Sequence, residues 1–163
     1  MTHHLTFIAE WLDREADSPA CRNALDRAEG KDLSRVCWQF LGAILSEVPV
    51  KRANILAVVN PVIAGMDRLA EGKDWPEAEK ATLAAWAAAD AAWAAAAAES
   101  AEAAGWSAFA ATGALVAAAK EELAKDRVAA RTASWAAMSA EEAGVPVTRQ
   151  RDLFLQLVQG KLD

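Results

Sequence analysis

The chain has 163 residues, a formal net charge of -6 at pH 7 and a sequence pI of about 5.0. This acidic balance argues against direct nucleic-acid binding, which needs a basic face, and the acidic residues are too scattered among Lys and Arg to mimic nucleic acid. Hydrophobic residues make up 54% of the chain, but Ala supplies 42 residues. Because burying a methyl group stabilises far less than burying Leu or Ile, the core must depend on the larger side chains.

The first helices are predicted from strong stop and start signals. Ser18 followed by Pro19 predicts an N-cap and a first helical position, and Gly30 predicts the end of that helix. Asp32 then predicts the cap of a helix that runs to about Glu47.

Two further junctions follow. Asn60-Pro61 predicts a second cap-plus-proline junction, at which a new helix begins, and Gly72 predicts its end. Asp74 with Glu77 three residues later predicts a capping box for the next helix.

The region from residue 78 to residue 143 is about half Ala and predicts long helices, since Ala is the best helix former. Gly144 and Pro146 close this region, and Thr148 predicts the cap of a final helix that ends near Gly160. The apolar face of the final helix is expected to complete a shared core through Leu153, Phe154, Leu157 and Val158.

No segment predicts a β-strand. We therefore expect an all-α fold with one helical domain over residues 1–163, a bundle or short solenoid of about six to eight helices with long Ala-rich helices. Residues 1–77 form its amphipathic part, 78–143 its Ala- and Trp-rich part and 147–160 its closing helix.

The tetrad Glu-Gly-Lys-Asp occurs twice, at residues 29–32 and 71–74. A spacing of about 40 residues is typical of stacked helical hairpins in a solenoid. The other interpretation, which we prefer, is that the tetrad is a favourable joint between helices that is used twice.

One stripe of the Ala-rich region carries two indoles and a carboxylate. Trp86, Asp90 and Trp93 are four and three residues apart, so they share a helix face. In a structural interpretation, which the sequence favours, Asp90 accepts a hydrogen bond from an indole N–H or pairs with an arginine such as Arg131. In a functional interpretation the three side chains contact a partner, because Trp is enriched in binding hot spots.

The wider surroundings of this stripe favour protein binding. Between Ala81 and Ala119 there is no Lys, Arg or His, so a smooth and weakly acidic surface studded with Trp is expected. Asp90 in the run 81–98 also makes a membrane span unfavourable. The candidate partner-binding residues are Trp86, Asp90, Trp93, Glu99, Glu102 and Trp106.

The sequence predicts no catalytic, cofactor-binding or metal-binding residues. Its two histidines, His3 and His4, lie at a terminus that we expect to be frayed, which removes the usual general base and zinc ligand. Cys21 and Cys37 are expected to be reduced core thiols in a cytoplasmic protein. We therefore expect a protein that is not an enzyme and needs no cofactor.

Three stretches resemble a family of bacterial Ala- and Trp-rich helical proteins described as immunity proteins. They are the Trp-containing helix 35–45, the joint 66–75 that leads into the Ala run 81–98, and the amphipathic helix 149–159. The resemblance implies that the protein neutralises a toxin by binding it. Helical inhibitors of similar size and acidity also act for phage and mobile elements against host defence systems, in the manner of anti-CRISPR proteins.

We therefore expect a non-catalytic binding protein that inhibits a protein partner, either a toxin or a defence-system component, by covering its functional surface. The alternative is a structural or scaffolding protein in which the Ala-rich helices bury themselves in a homodimer. The sequence does not distinguish immunity from counter-defence.

Overall fold

The computed structural model describes residues 2–49, 52–94 and 127–162, which form helices and turns and contain no β-strand. The all-α prediction is confirmed, and the number of described helices agrees with the expected six to eight. Three candidate residues, Glu99, Glu102 and Trp106, lie outside the described residues. The seven helices are α1 (Thr2–Glu15), α2 (Ala20–Arg27), α3 (Val36–Glu47), α4 (Ala53–Ala70), α5 (Ala78–Ala94), α6 (Arg127–Glu142) and α7 (Val147–Gln159).

The helices share one hydrophobic core. Helix α1 packs on α2, α3, α6 and α7, and α3 also packs on α4, α6 and α7. As predicted, the final helix completes the core: Phe154 and Val158 are fully buried, and the Phe154 ring meets Phe40 edge to face with 5.7 Å between centroids. Because α6 and α7 return to the first helices, the arrangement is a bundle and not an open solenoid.

Helices α4 and α5 form successive outer layers on α3. A Cβ atom added to Gly42 of α3 would lie 3.2 Å from Cβ of Met66 in α4, so these two helices approach closely. After α4, the Trp75 indole packs directly on Gly65, where an added Cβ would be only 2.2 Å from ring carbons. Helix α5 then packs on α4, its principal partner among the described helices.

The prediction that a helix begins at Asn60-Pro61 is wrong, because α4 passes through this site without a break. Pro61 and Asn60 are both exposed. Pro61 has no backbone N–H, so the carbonyl one turn earlier has no hydrogen-bond donor within the helix. That carbonyl lies on the exposed face, where water can bond to it, and the buried residues continue at helical spacing on the opposite face. The buried residues of α4 are Ile55, Val59, Val62, Gly65 and Met66.

The cap of α2 differs from the prediction for Ser18. Pro19 occupies the N-cap position, so Ser18 lies one residue too early. The buried carboxylate of Asp13 instead accepts hydrogen bonds from the backbone N–H groups of Cys21 (2.8 Å) and Arg22 (3.0 Å). These are the second and third residues of the helix, whose N–H groups have no partner within it.

The other predicted caps have mixed outcomes. The prediction that Asp32 caps α3 is wrong, because Arg35 occupies the N-cap position; the Asp32 carboxylate accepts a hydrogen bond from Ser34 N at 2.9 Å in the turn before the helix. Thr148 is not a cap, because α7 begins one residue earlier with Pro146 at the N-cap position. The Asp74 side chain forms no hydrogen bond with the described residues. Gly144 and Pro146 separate α6 from α7 as predicted.

The repeated Glu-Gly-Lys-Asp tetrad is a joint that is used twice. Gly30 and Gly72 have φ values of +81° and +79°, a left-handed conformation that Gly adopts without steric strain at the end of a helix. The helices around the two joints pack differently, however: α4 lies on α5, whereas α2 packs on α1 and α7. The preferred interpretation is therefore supported over a repeated hairpin.

Candidate partner-binding surface

Helix α5 turns its small residues inward and its large residues outward. Ala85, Ala89 and Ala92 are buried, whereas Trp86 is 46% exposed and Trp93 is 70% exposed. Ala side chains let helices approach closely, so an Ala face suits the contact with α4. The indoles consequently lie on the solvent side of the helix.

Five exposed residues form one band along this helix. At 100° per residue they fall within an arc of roughly 80°, and they extend over about 21 Å of the helix axis. We call this band the tryptophan strip; it consists of Glu79, Leu83, Trp86, Asp90 and Trp93. The predicted shared face is thus confirmed for its three central members, and Glu79 and Leu83 are additional.

The exposure of Asp90 bears on the two interpretations of the stripe. Asp90 is exposed, and no described residue forms a hydrogen bond or an ion pair with it. The structural interpretation, in which an indole N–H or another helix engages this carboxylate, is therefore wrong for the described residues. The Arg131 side chain lies outside them.

The six tryptophans that the structure describes divide into two groups. In the amphipathic part, Trp11, Trp38 and Trp75 are at most 8% exposed. In the Ala-rich part, Trp86 and Trp93 are exposed, and Trp135 on α6 is 48% exposed. The sequence did not indicate this difference, because Ala occurs on every face of α5 and marks no single face as the buried one.

The ionisable groups of the core are held away from solvent. Cys21 and Cys37 are buried free thiols, as predicted, and burial raises the pKa of each to about 12. His4 is also buried, with its ring 6.4 Å from that of Trp38. The expectation that His4 lies at a frayed terminus is therefore wrong: α1 begins at Thr2 and carries His4 into the core.

Other candidate sites are limited in the described parts of the chain. An open cleft of about 500 Å³ lies where α1 and α2 meet the turn after Gly30, and it is lined by charged side chains such as Asp26, Glu29 and Lys31. The described residues contain no group of three or more His, Cys, Asp or Glu side chains that could hold a metal ion. None of the described helices is long and apolar enough to span a membrane.

Comparison of the chain with protein-family models, curated proteins and solved structures finds no significant match.

Proposed function

We propose that this protein inhibits another protein by covering that protein's functional surface with the tryptophan strip, without catalysing a reaction. The role is that of an immunity protein or a phage counter-defence protein, and the partner is a toxin or a defence-system component in the cytoplasm. The observation that carries this proposal is the outward placement of Trp86 and Trp93 on a helix whose Ala face already packs on α4.

Indoles that are left in water carry an apolar surface whose burial by a partner is favourable. The exposed parts of Trp86 and Trp93 amount to on the order of 300 Å² of surface. Exposed apolar patches of this size on monomeric proteins are often functional. Trp is also the side chain most enriched among residues that dominate binding energy, so two of them on a rigid helix suit a binding surface.

The test is the double substitution Trp86→Ala with Trp93→Ala. Partner proteins are captured from the cells that produce the protein, and their activity is measured with increasing amounts of wild-type or variant protein. We expect the wild type to inhibit stoichiometrically and the double variant to lose at least a hundredfold in affinity. Because more than half of Trp86 and about a third of Trp93 are buried, the free energy of unfolding should fall by about 1–3 kcal/mol, so inhibition is measured under conditions in which both proteins are folded.

Trp135→Ala is the matched control, because it removes an indole of similar exposure from α6. It should leave inhibition intact. Inhibition that survives in the double variant, or that is lost equally in the control, would refute the proposal.

A homo-oligomeric scaffold is the second candidate, and the same exposed apolar surface favours it. Two copies that met through Trp86 and Trp93 would bury on the order of 600 Å² of indole surface, about half of the total area of a stable interface, so either candidate needs contacts beyond the two indoles. Sedimentation at micromolar concentration distinguishes the candidates, since the inhibitor is expected to be a monomer without its partner.

A further inference from the structure

The charge of the tryptophan strip restricts what it can bind. Its two ionisable residues, Glu79 and Asp90, are both carboxylates, and both are exposed. Neither forms an ion pair or a hydrogen bond with any described residue. Lys80 is the nearest cation along α5, but it points about 100° away from Glu79 and is ten residues from Asp90. The strip therefore presents negative charge that α5 itself does not neutralise.

The order of groups along the strip is indole, carboxylate, indole. Trp86 and Asp90 are separated by four residues, and Asp90 and Trp93 by three, so each indole lies about 5–6 Å from the carboxylate at the level of Cβ. Indole faces attract cations. A guanidinium stacked on either ring can therefore donate hydrogen bonds in its plane to Asp90.

Arginine fits this arrangement better than other side chains. Its planar guanidinium stacks on aromatic faces and donates two parallel hydrogen bonds to a carboxylate, whereas a Lys ammonium is a strongly hydrated point charge. Nucleic acids and anionic lipid headgroups carry phosphates, which the two carboxylates repel. A second copy of the strip would bring carboxylates towards carboxylates, which repel each other.

We propose that the tryptophan strip binds a protein surface that presents arginine, with a guanidinium stacked on Trp86 or Trp93 and hydrogen bonded to Asp90. This inference rests on the proposed function and names the chemistry of the partner. The inhibited surface is accordingly basic, and the association depends on ionic strength.

The proposal is tested on the full chain with acetylated tetra-arginine as the probe. The indole N–H signals of the seven tryptophans are followed by ¹⁵N NMR at low salt, and Trp86→Phe and Trp93→Phe assign the two signals of the strip. We expect tetra-arginine to shift these two signals selectively, tetra-lysine to bind at least threefold more weakly, and tetra-glutamate to have no effect.

Asp90→Asn should weaken tetra-arginine binding about fivefold or more. Asp26→Asn is the matched control, because it makes the same change in net charge at an exposed aspartate on α2. Equal weakening by the two variants would overturn the proposal, as would uniform shifts of all seven indoles or equal binding of tetra-lysine. A dimer in sedimentation that Trp93→Ala dissociates would also overturn it, because a second copy would then occupy the strip.

The two proposals fail in different ways. If Trp86→Ala with Trp93→Ala abolishes inhibition of the captured partner but Asp90→Asn leaves it unchanged, the inhibitory role stands and the arginine preference is wrong. If the strip binds tetra-arginine selectively but the double variant still inhibits, the arginine preference stands and the proposed function is wrong.

Discussion

Trp75 and Gly65 form the contact that fixes the turn between α4 and α5. Because a Cβ on Gly65 would come within 2.2 Å of the indole, Gly65→Ala must displace Trp75 from its place. We expect this variant to lower the free energy of unfolding by about 1–3 kcal/mol, measured by urea denaturation. The emission of Trp75 should also shift to longer wavelength, since the ring is 8% exposed in the native fold.

Gly160→Ala is the control for this substitution. Its added Cβ would lie 3.4 Å from the nearest atom, the carbonyl oxygen of Gln156, which is an ordinary contact. The backbone there is already helical, so Ala should be neutral or stabilise the fold slightly. Similar destabilisation by the two variants would show that Gly65 has no special role in packing.

At single residues the sequence predicted residue types better than partners. The need for a polar cap on α2 was correctly inferred, but the group that supplies it is Asp13, which α1 brings to the start of α2 through the turn between them. His4 shows the same limit, because its burial depends on the position of Trp38 on a distant helix. The local sequence pattern of a single helix does not predict contacts of this kind with other helices.

Helices α3 and α7 are joined by an ion pair whose members lie at the unfavourable ends of their helices. Glu47 is the last residue of α3 and Arg149 is in the first turn of α7, and the Arg149 Nε donates to Glu47 at 2.9 Å. The Glu47 carboxylate raises the pKa of the Arg149 guanidinium. A helix C-terminus disfavours negative charge and an N-terminus disfavours positive charge, so each residue opposes its own helix dipole.

Exchanging the two charges should therefore stabilise the protein. The double variant Glu47→Arg with Arg149→Glu keeps the pair and reverses both dipole interactions, and we expect it to gain about 0.5–1.5 kcal/mol over wild type in urea denaturation. The pair itself is partly exposed and contributes little, about 1 kcal/mol or less. The two single variants provide a double-mutant cycle, and a double variant less stable than wild type would contradict the dipole argument.

At the scale of helices, the sequence predicted boundaries well where a Gly ends a helix and poorly at Pro61. Pro at an interior position removes one hydrogen bond, and the local pattern alone favours a break. The buried face that continues at helical spacing from Ile55 to Met66 outweighs that loss, since the carbonyl left unbonded lies on the exposed face, where water can bond to it. The Asn60-Pro61 pair alone does not indicate that one face of α4 is buried along its whole length.

For the molecule as a whole, the core buries its indoles, whereas the proposed binding surface exposes them. The buried indoles stabilise the bundle. In α5, by contrast, the Ala face packs on α4 and the indoles of the strip are exposed to solvent. The sequence predicted that Trp86, Asp90 and Trp93 share a face, because helical spacing determines that directly. It did not determine the orientation of that face, because an Ala stripe and a Trp stripe can each pack against a neighbour.

Global stability should fall in alkaline solution because of the two buried thiols. Burial raises the pKa of Cys21 and Cys37 from 9.0 to about 12, so the folded state holds both protons in a range where the unfolded chain has lost them. Their contribution is therefore complete below pH 9 and is lost progressively as the pH rises towards 12. Between pH 8 and pH 10 we expect the free energy of unfolding to fall by about 2.5–3 kcal/mol for the two thiols together.

The measurement is urea denaturation at both pH values under reducing conditions, in wild type and in Cys37→Ala. The variant loses core packing and is less stable at pH 8, but its loss between pH 8 and pH 10 should be about half that of wild type. The comparison is favourable in this chain because it contains no Tyr that would titrate nearby. An unchanged loss in the double variant Cys21→Ala with Cys37→Ala would assign the alkaline destabilisation to other groups, since no thiol would remain to ionise in the unfolded state.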